Sequence, residues 1–173
     1  MVTEEHIDLG HLLRGQLDED THADFVSAAG LILDCRCTLG EGIIYDDSTQ
    51  TVLWTDIYGR KLHTLKLETP KQVLHRTYDL PKQLCSFGMI EGAEPLTLLC
   101  AWDDGFQIYD VANSTPKTAM SKGEDVSPKK APARLNDGRT DRTGKRFVCG
   151  GYFGGVQGNL MKVFKVEQNA DGS

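Results

Sequence analysis

From Leu31 onward the chain is patterned as short strands. Apolar runs are each followed by a turn signal and a segment in which apolar and polar residues alternate. The apolar runs are TVLWTDI (51–57), LTLLCAW (96–102) and RFVCGG (146–151), and the alternating segments are RKLHTLKL, FQIYDV and NLMKVFKV. A buried strand beside a strand with one solvent-exposed face is typical of a β-sheet. Because helical periodicity is poor over residues 31–173, we predict an all-β fold.

The strand pairs recur at a regular spacing. Leu53, Leu99 and Val148 take equivalent places in three copies, separated by 46 and 49 residues. A period of about 40–50 residues built of short strands is typical of propeller blades. We therefore predict that residues 31–173 form about three blades of a β-propeller. Further short strands are expected at Gln72–Tyr78 and Gln83–Ile90.

Residues 1–30 differ from the rest of the chain. Ile7, Leu9, Leu12, Leu13 and Leu17 form a loose helical stripe, and seven acidic residues lie in the stretch. We expect an acidic N-terminal extension, partly helical or disordered, followed by the propeller domain over 31–173. Docking of a partner is an alternative role for this extension.

Composition and charge restrict the class of function. The 173 residues, 39% hydrophobic and 25% charged, suit one globular domain. A net charge of −6 repels phosphate backbones, so we expect no nucleic-acid binding. No run approaches the roughly 18–20 apolar residues of a membrane span. The acidic N-terminus has no apolar core of the kind found in secretory signals, so we expect a cytoplasmic protein without a membrane partner.

The five cysteines fit no familiar framework. Cys35 and Cys37 are too close for the usual Cys-x-x-Cys metal or redox site, and Cys100 and Cys149 lie inside apolar runs. Cys85 is the fifth. We expect reduced, structural thiols.

A glutamate lies between two glycines in Leu39-Gly40-Glu41-Gly42. Glutamate is depleted in strands and is seldom buried without a partner, so a solvated turn carboxylate is one interpretation. The other is a hard oxygen ligand for a divalent cation, with the glycines leaving space around the carboxylate.

The stretch Arg134-Leu135-Asn136-Asp137-Gly138 also has two interpretations. Asn-Asp-Gly tolerates positive φ and favours a tight hairpin turn. If the segment is extended, Arg134 and Asn136 point to the same face, where a guanidinium and an amide make a donor set for hydroxyls or a carbonyl.

Three motifs together resemble one family. They are LGEG followed by Tyr45-Asp46, the strand LWTDI, and RLNDGRTDRTGKRFVCGG at residues 134–151. In this order they are similar to the regucalcin/gluconolactonase family of metal-dependent lactonases, also known as senescence marker proteins. The resemblance covers residues 31–173.

The resemblance implies a six-bladed β-propeller with a divalent metal, calcium or zinc, near its axis, and hydrolysis of a sugar lactone. By motif, Glu41 matches the first metal-ligand glutamate, and Arg134 and Asn136 match the substrate-contacting pair. The other metal ligands and a carboxylate base are expected beyond Ser173, so the chain should correspond to the N-terminal half of a family member. Cys149-Gly150-Gly151-Tyr152 replaces the usual continuation of the last motif.

Two functions from different classes are therefore carried forward. The first is a metal-dependent lactonase whose catalytic set is incomplete in this sequence. The second is a non-catalytic half-propeller that acts as a binding or pairing module. Open blade edges recruit further strands, so self-association is expected to accompany the second function. The resemblance also makes LILDCRC (31–37) a candidate for the N-terminal strand that closes the last blade in the family, with its partner strand absent from this sequence.

Overall fold

A computed structural model of the chain describes residues 1–8, 31–69, 72–94, 96–121, 133–153 and 162–167. Twelve strands within these ranges form three antiparallel sheets, as the alternating pattern predicts. In the described part of the chain there is no helix long and apolar enough to cross a membrane.

The first sheet has five strands in the order β1-β5-β4-β3-β2. Its strands are β1 (Val2–Asp8), β2 (Gly40–Asp46), β3 (Thr51–Asp56), β4 (Lys61–Thr69) and β5 (Gln72–Asp79). The strands that follow β2 along the chain lie progressively farther out. Short turns at residues 47–50 and 57–60 join β2 to β3 and β3 to β4, which is the connectivity of a propeller blade.

The second and third sheets repeat this outward order. The second contains β6 (Leu84–Met89), β7 (Thr97–Trp102), β8 (Gly105–Asp110) and β9 (Thr115–Pro116). The third contains β10 (Ala133–Thr140), β11 (Arg146–Phe153) and β12 (Val163–Glu167).

The innermost strands β2, β6 and β10 contact one another, so the three sheets spread outward from a shared centre. The predicted repeat is confirmed in this arrangement. Leu53, Leu99 and Val148 are each the third residue of the second strand of their sheet. The chain therefore forms about three blades.

The core consists of two apolar layers, each between neighbouring sheets. The first layer, between the first and second sheets, includes Leu53, Leu62, Leu84, Phe87, Leu98 and Trp102. The second, between the second and third sheets, includes Ile57, Cys85, Phe106, Leu135, Phe147 and Cys149. Packing of successive sheets face to face buries the apolar side of every blade, and it fixes the inner strands relative to each other.

The start of the chain departs from the expected helical or disordered extension. Val2–Asp8 form β1, which pairs along its whole length with β5. The outer edge of β5 offers unpaired backbone N–H and C=O groups. Pairing with these groups favours a strand at residues 2–8 over the helix that the apolar spacing suggested. Residues 9–30 lie outside the described residues, and the domain boundary at residue 30 stays a prediction. The strand predicted at 31–37 is also wrong, since this segment is irregular.

Candidate functional site

One end of the three sheets holds the residues predicted from the sequence. We call it the site end, and define it as the end at which β2, β6 and β10 begin. There Gly40 pairs with Asp56 and Leu84 pairs with Trp102. In the third sheet Arg134 pairs with Tyr152 at this end.

Every inner strand has a β-bulge near the site end. Gly42 and Ile43 are opposite a single residue of β3, and the left-handed φ of 64° at Gly42 accommodates the extra residue. Cys85 is the extra residue in β6. In β10 the register shifts by one residue across Asn136 and Asp137. Bulges re-aim side chains, and here they do so at the same level of three adjacent blades.

The Arg-x-Asn-Asp-Gly motif is part of strand β10 and is not a hairpin turn. Arg134 Nη1 donates to Asn136 Oδ1 at 2.8 Å and to the Leu135 carbonyl at 2.9 Å. The side chains of Arg134 and Asn136 therefore meet, as the extended interpretation predicts. The amide oxygen of Asn136 accepts from Arg134, and its NH2 group bonds to no described residue, so this group is available to donate to a ligand.

Two tyrosine rings contact the Arg134 guanidinium. Its carbon lies 4.8 Å from the ring centroid of Tyr152 and 5.6 Å from that of Tyr58. Tyr58 belongs to the β3–β4 turn, so the contact joins the third blade to the site end of the first. Stacking of a guanidinium on aromatic rings favours a fixed orientation. The sequence analysis did not identify either tyrosine as a site residue.

Glu41 lies on β2, opposite Thr55, and its side chain is exposed. The carboxylate makes no hydrogen bond or ion pair with any described residue. The innermost strand of the first blade thus presents a free carboxylate at the end where Tyr58 contacts Arg134. Both interpretations of Glu41 from the sequence are compatible with this exposed position.

Asp56 fixes the backbone around Glu41. Its Oδ1 accepts from the amides of Leu39 and Gly59 at 2.9 and 3.0 Å, and its Oδ2 accepts from the Thr38 amide at 2.9 Å. Burial raises the pKa of Asp56, but these amide hydrogen bonds outweigh it and leave the pKa below the ordinary value. One side chain therefore holds both the segment that leads to Glu41 and the turn that carries Tyr58.

The second blade contributes two buried groups at the site end. Burial raises the pKa of the Cys85 thiol to about 12, although the charge of nearby Arg134 opposes the rise. Burial also raises the pKa of Asp103, with Asp104 adding to the effect. Asp103 Oδ1 is buried and has no hydrogen-bond partner among the described residues. The sequence analysis identified neither Cys85 nor Asp103 as a site residue.

The donor set supplies only part of a metal site. The oxygen donors at the site end that match the family pattern are the exposed Glu41 carboxylate and the Asn136 amide, whose oxygen already accepts from Arg134. No group of three or more acidic, histidine or cysteine side chains suited to a metal ion occurs among the described residues. A hard cation usually takes about six to eight oxygens. These residues therefore do not form a complete coordination sphere.

Comparison with known proteins agrees with the fold and motifs. The sequence model of the SMP-30/gluconolactonase/LRE-like region matches residues 39–169. An L-arabinolactonase from Azospirillum brasilense is 32% identical over 70% of this chain and 37% of its own length. A putative sugar lactone lactonase from Rhizobium meliloti is 31% identical over 72% of this chain and 39% of its own length. The chain thus spans about two fifths of these relatives.

A solved structure of a related protein has a similar fold. A calcium-binding protein, regucalcin, from Agrobacterium tumefaciens superposes with a TM-score of 0.57 at 25% identity. The superposition covers 78% of this chain and 41% of that chain, so this chain corresponds to less than half of that structure. With the family match spanning most of the described propeller, the chain belongs to the SMP-30/gluconolactonase/LRE-like family.

Proposed function

We propose that the chain carries part of the active site of an enzyme that hydrolyses sugar lactones. The observation that supports this most is the Arg134–Asn136 pair, bonded at 2.8 Å on an innermost strand. The named activities of the two bacterial relatives point to the same substrate class.

Lactone hydrolysis adds water across the ring ester and yields a hydroxy acid. In this proposal the Arg134 guanidinium and the Asn136 NH2 group donate hydrogen bonds to the sugar hydroxyls and the ester carbonyl. Because two tyrosine rings and the Leu135 carbonyl hold the guanidinium, little orientational freedom is lost when substrate binds. The general base is a carboxylate that we expect beyond Ser173.

We assign Glu41 as one ligand of a divalent metal, with calcium or zinc as the ion. Such an ion would polarise the ester carbonyl and acidify a bound water. The support is an exposed carboxylate on an innermost strand and the description of the Agrobacterium relative as calcium-binding. Because the described residues hold an incomplete ligand set, no step is assigned to a metal here.

The test is a calorimetric titration of the full chain with a panel of five- and six-membered sugar lactones, since the general base is expected beyond Ser173 and binding is the part of the function that these residues can supply. Each of calcium, zinc, manganese and magnesium is supplied in turn. We expect a lactone affinity that falls by at least about tenfold in Arg134→Lys, since lysine keeps the charge but not the planar donor geometry. We expect a comparable fall in Glu41→Gln.

Matched controls are available on exposed parts of the chain. Arg142→Lys lies in the β10–β11 turn, and Glu91→Gln lies in the β6–β7 turn at the opposite end of the second sheet. Both should keep the full lactone affinity. No lactone binding with any of the four metals would reject the proposal for this chain and leave the non-catalytic alternative.

That alternative is a half-propeller that pairs with another copy. It is favoured by the edge strands β1 and β12, each of which pairs on one side only within the described residues. A defined dimer near twice 19.1 kDa would support closure by pairing, whereas a monomer across the concentration range would contradict it.

We also propose a cytoplasmic location. All five cysteines of the chain are free thiols, and three of them, Cys85, Cys100 and Cys149, are buried. Reduced thiols are typical of proteins in the cytoplasm. Fractionation that recovers the protein in an oxidising compartment would contradict this location.

A further inference from the structure

A second cluster of reactive side chains lies on the first blade and does not include Glu41, Arg134 or Asn136. It contains the thiols of Cys35 and Cys37, the imidazoles of His63 on β4 and His75 on β5, and the carboxylate of Glu5 on β1. Neither the proposed lactone site nor its positioning residues use these groups.

The two thiols touch. Cys35 Sγ lies 3.3 Å from Cys37 Sγ, and both side chains are partly exposed. A disulfide needs a sulfur separation of about 2.05 Å, so closure requires a movement of roughly 1.3 Å. This is small for residues of an irregular segment outside any sheet.

The backbone between the thiols is bent in the required way. In an extended chain the Cα atoms of residues i and i+2 are about 6.6–7.2 Å apart, at or beyond the usual limit for a disulfide. Arg36 has a left-handed φ of 49°, which shortens this span. The conformation is unfavourable for a residue with a side chain, and such residues cluster at functional sites.

A hydrogen-bonded chain orients Cys37. Glu5 Oε1 accepts from His75 Nδ1 at 2.9 Å, and His75 Nε2 then accepts from His63 Nδ1 at 3.1 Å. With neutral imidazoles this order leaves a lone pair on His63 Nε2, which lies 3.6 Å from Cys37 Sγ. The Cys37 thiol therefore has an acceptor for its proton.

The His63 and His75 rings are held rigidly, and the His63 imidazole stays neutral. Trp54, His63 and His75 stack with interplanar angles of 5–6°. Burial and the neighbouring His75 lower the pKa of His63 to about 4. Burial and the neighbouring Cys35 raise the pKa of the Cys37 thiol to about 11.

Solvent reaches the pair through Cys35. This cysteine lines an open cavity of about 360 Å³ whose other walls include Glu5, Lys61 and His75. The cavity is lined by Cys35 and not by Cys37, whose sulfur lies 3.6 Å from His63 Nε2, so Cys35 is the sulfur that we expect a small disulfide to meet first.

We propose that Cys35 and Cys37 form a thiol–disulfide exchange site that takes a low-molecular-weight disulfide such as glutathione disulfide. The Cys35 sulfur attacks the small disulfide, forms a mixed disulfide, and releases one thiol. Cys37 then attacks the Cys35 sulfur, closes the Cys35–Cys37 disulfide, and releases the second thiol. The protein dithiol is oxidised and one small disulfide is reduced to two thiols. This inference does not depend on lactone hydrolysis.

The experiment uses the full reduced chain, incubated with excess glutathione disulfide, quenched in acid and alkylated. Intact mass should show that two of the five thiols have become unreactive with the loss of two hydrogens and no retained glutathione. Peptide mapping should place the disulfide between Cys35 and Cys37. Full alkylation of all five thiols, or a stable glutathione adduct without ring closure, would overturn the proposal.

Variants test the roles of the two sulfurs and of the backbone bend at Arg36 one at a time. Cys37→Ser should trap glutathione on Cys35, because the second attack is removed. Arg36→Val should weaken the disulfide by about tenfold in glutathione buffers, since a β-branched residue opposes the left-handed conformation, whereas Arg36→Gly should not weaken it. Equal disulfide stability in the valine and glycine variants would contradict the role of the bend.

A metal site is the competing use of the same side chains. Zinc alone is therefore added to the reduced chain before alkylation. Unchanged alkylation of Cys35 and Cys37 is expected, in line with the lack of a three-ligand group among the described residues. Stoichiometric zinc that protects both thiols would overturn the exchange site in favour of metal binding.

Discussion

Replacing Asp56 with asparagine tests how the site end is held in place. Asp56 is 4% exposed and accepts three backbone amides, from Thr38, Leu39 and Gly59. Asparagine keeps one acceptor oxygen and turns an NH2 group toward the remaining amide or amides. At least one donor then faces another donor in a buried position.

The magnitude follows from these bonds. An unsatisfied buried amide costs about 1–3 kcal/mol, and the surviving bonds fall from charge-assisted to neutral strength. We expect Asp56→Asn to lower the free energy of unfolding by roughly 2–4 kcal/mol. For a chain of this length that corresponds to a fall in Tm of roughly 5–12 °C.

The assay is thermal unfolding followed by circular dichroism, with Asp104→Asn as the matched control. Asp104 forms an exposed ion pair with Lys82 in the corresponding turn of the second blade, and exposed pairs contribute at most about 1 kcal/mol. Equal melting temperatures for the two variants would refute the assignment of Asp56 as the residue that holds Thr38, Leu39 and the β3–β4 turn.

The pH dependence of the protein's stability tests the role of Asp56 independently. The pKa of Asp56 in the folded protein lies below its unfolded value, so the stabilisation from the ionised carboxylate is complete above the unfolded pKa of about 3.9. This stabilisation is lost as the pH falls through the folded pKa. The stability difference between the wild type and Asp56→Asn should therefore be constant near neutrality and shrink below about pH 4.

Three further predictions concern residues of the third blade and the binding of calcium. Gly138→Ala places a Cβ 2.7 Å from Phe147 Cζ and should cost about 1–3 kcal/mol in chemical denaturation, while Gly150→Ala, whose nearest neighbour is at 3.9 Å, should cost clearly less. Tyr152→Ala should weaken lactone binding several-fold by freeing Arg134, and unchanged affinity by calorimetry would argue against a role for the ring. Calorimetric titration should show weak calcium binding, and a sub-micromolar affinity for this chain would contradict the incomplete ligand set.

The repeat and the donor pair were accessible from sequence because both rest on local periodicity. Leu53, Leu99 and Val148 recur because each blade needs an apolar second strand. Arg134 and Asn136 meet because residues two apart on a strand share a face. The alternative of a hairpin turn at Asn136 is not realised, since a β-bulge accommodates the Asn-Asp pair within the strand.

Features that depend on a distant partner were not predicted. Residues 2–8 form a strand because they pair with the open edge of β5. The spacing of apolar residues near the N-terminus gives no information about that distant edge. Tyr58 contacts Arg134 across blades although 76 residues separate them in the chain. The spacing of Cys35 and Cys37 suggested structural thiols, because neither the bend at Arg36 nor the approach of His63 can be read from the sequence.

We propose that Glu41, Arg134 and Asn136 open onto one central cavity at the site end, because the inner strands β2 and β10 that carry them contact each other. A crystal structure of the chain measures this directly. We predict that the Glu41 carboxylate faces the same hollow as the bonded Arg134–Asn136 pair, with Tyr58 and Tyr152 against the guanidinium. Glu41 on the opposite rim from Arg134, or inner strands that do not meet, would contradict the account.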